Sequence, residues 1–370
     1  MEFSISVADS EKTAFGRCLG VVFNPQLMKI TLGKRRTFQR YARGPKPEKK
    51  EKFQVLKNND KGAVMLLKTD ARAQAWVDAF SMAMPELEVR LWPETGDRSE
   101  INCALLWGPP PELFDQLDNL EVIFSIGAGV DSLLACPTLP AHLPIVRMVE
   151  SELTAGMVEF CLFHILRFHR LMHLFENHRV RRHWEELTQV SASEVTVGIM
   201  GFGVLGQALA RQLSALRYRV IGYRRGPGEV DGMEVFYGTN QLEEFMGRSD
   251  ILVALMPSTL ETKKMINSRT LSWLPSGAYF INAGRGDLVD EAGLVEALDH
   301  GSLAGAALDV FETEPLPQES ILWAHPNIYI TPHIASITHP PTACRYIADA
   351  ISRHRQGEPW PHLVETGRGY

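Results

Sequence analysis

Residues 195–207 read VTVGIMGFGVLGQ, and this stretch decides the fold. A short β-branched run ends at Gly201-Phe202-Gly203-Val204-Leu205-Gly206, and the amphipathic segment ALARQLSALRYR follows at once, which spells strand, glycine turn and helix. Gly201 permits the tight turn, Gly203 lets a pyrophosphate approach the backbone, and Gly206 lets the helix pack closely on the strand. The helix start, with Val204 and Leu205 beside the glycines, offers N–H groups and partial positive charge to phosphates. A GxGxxG turn by itself is weak evidence. Set between strand and helix it points to a dinucleotide site.

Outward from this turn the chain alternates. YRVIGY, ILVAL, AYFIN, AGAALDV and IYIT read as strands and QLEEFMGR and EAGLVEALDH as helices, which with the first strand makes six strands of a doubly wound parallel sheet. Upstream, AVMLLK, ELEVRLW, CALLWGPP and LEVIFSIGAGVDSLL read as further strands, with ARAQAWVDAFSMAM as a helix, and a long helix around Thr154–Arg170 links the two sets. The last helix, in TACRYIADAISRHRQG, is expected to pack back on the first set. No internal repeat at a solenoid period is found. The alternation makes the fold class α/β in two domains. The expected division is 61–158 with 337–370, for substrate, and 159–336, for the dinucleotide.

Composition narrows the class. The 370 residues, 45% of them hydrophobic, suffice for a large core. No run of about 18 apolar residues occurs and MEFSISVADSEK lacks the order of a signal peptide, so a cytoplasmic chain without membrane contact is expected. Cys18, Cys103, Cys136, Cys161 and Cys344 are scattered without ligand spacing, which implies buried thiols and no metal. Residues 1–60 carry 13 Lys/Arg against 6 Asp/Glu, while the rest of the chain carries 25 against 38. The basic stretch LGKRRTFQRYARGPKPEKKEK suits a nucleic-acid arm or, more in keeping with its broken, aperiodic texture, a poorly ordered extension over 1–60.

Two further readings concern chemistry. An NAD site usually ends its second strand with a carboxylate; here Tyr223-Arg224-Arg225 stands in that place, and two guanidiniums suit the 2′-phosphate of NADP, with NAD still possible. Solvated surface arginines are the alternative. Three groups then follow strand ends: Arg285 after AYFIN, Glu314 after ALDV and His333 after IYIT, 29 and 19 residues apart. Ligands of open α/β sheets bind outside the carboxyl ends of strands, so all three are candidates for one cleft. Reducing a 2-keto acid needs a hydride, a cation for the carboxylate and ketone, and an acid for the alkoxide. Arg285 fits the cation, His333 the acid, and Glu314 a carboxylate that holds the imidazole protonated. Local alternatives stand beside these: Arg285 paired with Asp287 or Asp290, and Glu314 as a cap before Pro315.

GFGVLG, LMPST at 255–259, NAGRGDLVDE, AALDVFETEPLP and TPHIAS together resemble the D-isomer-specific 2-hydroxyacid dehydrogenases over 62–370, and GAGVDS, LLWGPP and the terminal RGY resemble the glyoxylate/hydroxypyruvate reductase branch. The resemblance implies two Rossmann-like domains separated by an active-site cleft, and that Arg285, Glu314 and His333 are catalytic. It further implies that the N–H groups of Ala128, Gly129 and Val130 receive the substrate carboxylate and that Asp309 holds the nicotinamide carboxamide. Leu255, Met256, Pro257 and Ala283 would line the cofactor cleft, and Trp107 and Trp184 the substrate pocket. Branch members begin at about AVMLLK, so 1–60 departs from the pattern. The expected function is NADPH-dependent reduction of glyoxylate to glycolate and hydroxypyruvate to D-glycerate by a homodimer, nucleic acid being an unlikely partner. A dehydrogenase for another 2-keto acid and a non-catalytic NAD(P)-sensing protein are the alternatives.

Overall fold

The structure is a computed structural model that describes residues 63–369 except 70, 71, 229 and 231. The basic extension over 1–60, Cys18 and the terminal Tyr370 lie outside the described residues.

Five apolar segments build the first sheet: β1 (Val64–Lys68), β2 (Glu88–Leu91), β3 (Cys103–Leu106), β4 (Val122–Ser125) and β5 (Ile145–Val146). All pair in parallel in the order β2-β1-β3-β4-β5, and β1, β3 and β4 are buried almost throughout, as central strands covered on both faces must be. Helix α1 (Ala73–Ala83) turns Trp76, Ala79 and Phe80 inward, and the short α2 (Asp131–Leu134) follows β4.

Helix α3 (Ser151–His169) begins where Glu150 accepts the N–H groups of Glu152 and Leu153 at 2.7 and 2.8 Å. Its first turn packs Leu153 into the core of the five-stranded sheet, and from Met157 onward it packs on the second sheet. Helix α4 (Met172–Arg181) comes next; the reading above assigned no element there.

The second sheet holds seven strands: β6 (Thr196–Met200), β7 (Arg219–Arg224), β8 (Glu234–Tyr237), β9 (Ile251–Ala254), β10 (Ala278–Asn282), β11 (Leu303–Leu308) and β12 (Ile328–Ile330). Between them run α5 (Val204–Ala215), α6 (Leu242–Gly247), α7 (Ser268–Leu271) and α8 (Glu291–Asp299). The order is β12-β11-β10-β9-β6-β7-β8, all parallel, so the strand order reverses between β6 and β9, where doubly wound sheets bind ligands. The six expected strands become seven because β8, the edge strand EVFY, buries Phe236 alone and carries little of the apolar signal of a central strand.

The registers align the carboxyl ends. Met200 pairs with Tyr223 and Ala254, Asn282 with Ala254 and Leu308, and Leu308 with Ile330. The loops that follow, carrying Gly201, Leu255, Arg285, Glu314 and His333, therefore emerge along one edge. In the other sheet Leu106 pairs with Ser125, which sets Trp107 beside the turn 127–130.

After β12 the chain crosses back, with Thr338 Oγ1 donating to the Ile126 carbonyl at 2.7 Å. Helix α9 (Pro340–Arg355) then packs Ala343, Cys344, Ile347, Ala350 and Ile351 into one core with Trp76 and Phe80 of α1, the docking expected of the last helix.

Candidate active site

The glycine turn behaves as its composition requires. Gly201 has φ +93°, and a Cβ there would lie 2.6 Å from the Leu255 carbonyl carbon. A Cβ on Gly206 would lie 2.5 Å from the Gly201 carbonyl oxygen, so the start of α5 is pressed onto the turn. Gly203, by contrast, faces open space, with no atom within 4 Å of its would-be Cβ. No side chain caps α5, so its first N–H groups face that space, and the residues present fit a pyrophosphate. Met256 and Ala283 are buried beside the turn, while Leu255 and Pro257 are half-buried.

Arg224 ends β7 half-buried, and among the described residues it makes no ion pair. Arg225 is exposed and meets Glu261 at 2.7 Å. That acidic partner lies 36 residues away, beyond the reach of local pattern.

Arg285, Glu314 and His333 converge. His333 Nδ1 lies 2.7 Å from Glu314 Oε2, and Glu314 Oε1 accepts the Phe311 N–H at 3.0 Å. Burial pushes the Glu314 carboxyl up. The His333 hydrogen bond, the Phe311 N–H and the charges of His333 and Arg285 together outweigh it and leave the group below its ordinary value. With Nδ1 engaged, the other ring nitrogen has no protein partner among the described residues and is the one able to pass a proton outward.

His333 sits at φ +53°, a region few non-glycine residues adopt. Asp309 holds it there. The His333 N–H donates to the Asp309 carbonyl at 2.8 Å, and the buried carboxylate accepts Thr331 Oγ1 at 2.6 Å, Ile334 N–H at 2.9 Å and Ala335 N–H at 2.8 Å. Asp309 thus builds, through hydrogen bonds, the loop that presents the histidine.

The turn after β4 supplies the opposing wall. Among the described residues none of the N–H groups of Ala128, Gly129 and Val130 donates internally, which leaves a row of free donors for an anion. Trp107 lies with its ring centroid 6.5 Å from that of His333, edge to face, and packs on Gly127. Trp184 is 96% exposed in the segment after α4, so it forms no wall of this chain's own pocket; nothing local in RRHWEEL distinguishes an inward from an outward tryptophan.

Arg285 pairs with neither Asp287 nor Asp290. Its Nε donates to Asp131 Oδ1 at 2.8 Å across a separation of 154 residues, and one terminal nitrogen donates to the Gly284 carbonyl at 2.7 Å. Asp287 is taken by Ser258 Oγ at 2.5 Å. The sequence carries Asp131 inside GAGVDS, but no local feature ties it to Arg285.

Residues 162–335 match the D-isomer specific 2-hydroxyacid dehydrogenase, NAD binding domain. The chain is 39% identical over 300 residues to glyoxylate/hydroxypyruvate reductase A of Salmonella newport, spanning 80% of this chain and 96% of that protein.

The chain belongs to the D-isomer specific 2-hydroxyacid dehydrogenase family.

It is an NAD(P)-dependent oxidoreductase of that family, and solved members share its fold. A Xanthobacter autotrophicus Py2 dehydrogenase in complex with NADPH and MES superposes with TM-score 0.80 at 39% identity, covering 84% of this chain and all of that one. The NADPH-dependent glyoxylate/hydroxypyruvate reductase of Sinorhizobium meliloti, in complex with NADP and sulfate, gives TM-score 0.79 at 37% identity, covering 83% and 100%. Among the described residues no group of His, Cys, Asp and Glu is placed to hold a metal ion, and no helix is long and apolar enough to cross a membrane.

Proposed function

We propose that this dehydrogenase uses NADPH to reduce small 2-keto acids, glyoxylate to glycolate and hydroxypyruvate to D-glycerate. The observation that carries the reading is the His333–Glu314 pair at 2.7 Å, set beside Arg285 and the free N–H groups of 128–130. NADPH, when bound, supplies the hydride. The chain supplies the rest. The N–H groups of Ala128, Gly129 and Val130 with the Arg285 guanidinium bind the substrate carboxylate, and Arg285 polarises the ketone. Nε2 of His333 gives its proton to the emerging alkoxide while Glu314 holds the ring from Nδ1. Trp107, packed on Gly127 and facing His333, closes the pocket over short acids.

Gly201, Gly203, Val204, Leu205 and Gly206 hold the pyrophosphate in this reading, and Arg224 and Arg225 hold the 2′-phosphate. Leu255, Met256, Pro257 and Ala283 line the cleft, and Asp309, beyond its work on the histidine loop, receives the carboxamide. The five-stranded sheet with α9 serves as the substrate domain, expected over 61–158 and 337–370, and 159–336 as the cofactor domain. We extend the proposal to a cytoplasmic homodimer. The free, buried state of Cys103, Cys136, Cys161 and Cys344 fits a reducing compartment. The exposed Phe163 and Leu166 of α3, Met172 and Val180 of α4, and Trp184 offer apolar surface to a second copy.

The test is the initial rate of NADPH and, separately, NADH oxidation with glyoxylate, hydroxypyruvate, pyruvate and phenylpyruvate at neutral pH. Fast NADPH-dependent turnover of the first two is expected. Faster turnover of phenylpyruvate would assign a different keto acid, and NADPH binding with no turnover of any acid would make the chain a nucleotide sensor.

A further inference from the structure

Arg285 and Asp131 come from different sheets. Arg285 follows β10 of the seven-stranded sheet and Asp131 opens α2 after β4 of the five-stranded one, and their ion pair at 2.8 Å spans the cleft with side chains 20% and 38% exposed. The guanidinium is fixed twice, by Asp131 at Nε and by the Gly284 carbonyl at one terminal nitrogen. Its other terminal nitrogen lies against Gly129, where a Cβ would come within 1.4 Å of it. Of the five donors of an arginine, two are spent on holding it still, and the terminal nitrogen beside Gly129 carries two more at the turn with the free N–H groups.

A carboxylate beside an anion-binding site opposes the anion it is meant to receive. Asp131 stands in that unfavourable place, within the same turn. We propose that Asp131 is a positioning residue for Arg285, which rests on the keto acid reading above: it aims the guanidinium at the substrate carboxylate and ties that aim to the approach of the two sheets. Only when β4 and β10 present their loops to each other is Asp131 in reach of Nε, so an opened cleft holds an unaimed arginine. A misaimed group about 1 Å from its productive place costs on the order of 10²-fold in rate. Because Asp131 repels the substrate while orienting the residue that receives it, its removal affects kcat more than KM.

The experiment compares glyoxylate reduction, at saturating NADPH, by the full chain and its Asp131→Ala and Asp131→Asn variants, with thermal midpoints measured alongside. For Asp131→Ala, kcat is expected to fall at least tenfold while KM for glyoxylate moves less than threefold. Asp131→Asn keeps an acceptor oxygen in place and is expected to recover at least threefold of that loss while staying below the parent. Variants within twofold of the parent in kcat, or a loss confined to KM, would overturn the role of Asp131 and leave the keto acid reading intact. A parent that reduces no keto acid would overturn both. Should Asp131→Ala fail to fold, Asp131→Asn decides alone: a kcat at least threefold below the parent supports the role, and a parent-like kcat ends it.

Discussion

Asp309 and His333 are bound backbone to backbone and side chain to loop: the His333 N–H meets the Asp309 carbonyl at 2.8 Å while the Asp309 carboxylate gathers Thr331, Ile334 and Ala335. The histidine keeps a left-handed backbone because its neighbours over-determine it. Its ring is then set by Glu314.

Replacing Glu314 with Gln should therefore separate position from charge. We expect kcat to fall by about 10²-fold, less than for His333→Ala, which should lose on the order of 10²–10⁴. Stability follows the same group with a definite sign. The Glu314 carboxyl lies below its ordinary value in the folded chain, so its contribution is present above that value and is lost as pH falls through the folded one. The parent's advantage in thermal midpoint over Glu314→Gln should be full at neutral pH and shrink in acid; an advantage that grew in acid would contradict the assignment.

Neutralising Arg224 and Arg225 together should weaken NADPH and spare NADH. The Arg225–Glu261 pair is an exposed one, 47% and 60% by side chain, and contributes little to stability, so the thermal midpoint should hardly move. Loss of a charge-assisted hydrogen bond to phosphate predicts about tenfold or more in the NADPH dissociation constant. Fluorescence titration with the two cofactors measures it, and equal losses for both would make the pair structural.

Gly129→Ala is expected to act through Arg285. The new Cβ would sit 1.4 Å from a guanidinium nitrogen that two hydrogen bonds prevent from moving aside. We expect kcat/KM to fall by about 10²-fold with cofactor binding unchanged. A variant with parent-like kinetics would mean that the arginine relocates without cost.

Ile347→Ala probes the return of the chain to the first sheet. Ile347 of α9 is fully buried in one core with the α1 residues Trp76 and Phe80. The truncation should cost roughly 2–5 kcal/mol in urea unfolding. A loss near zero would show that α9 is dispensable to that core.

Much of this protein was legible in its residues because the signals are local. A glycine turn between strand and helix declares itself within a dozen positions, for Gly201 must bend where no Cβ fits, and Gly206 must touch the turn. Arg285, Glu314 and His333 could be grouped on paper because each follows a strand, and parallel registers bring strand ends to one edge. The edge strand β8 and the two-residue β5 escaped because neither carries the continuous apolar run of a central strand.

The sequence by itself determined the two-sheet architecture, the dinucleotide turn and the candidates for chemistry, since period and turn preference act over a few residues. Only the tertiary structure decided which charges meet. Arg285 had Asp287 and Asp290 at hand and pairs with Asp131, 154 residues upstream, and Arg225 meets Glu261; Trp184, equal to Trp107 on paper, faces solvent. Such partners are chosen by how distant strand-end loops are brought together, within one sheet for Arg225 and Glu261 and between two for Arg285 and Asp131, and ion pairing is too non-directional for local pattern to encode it.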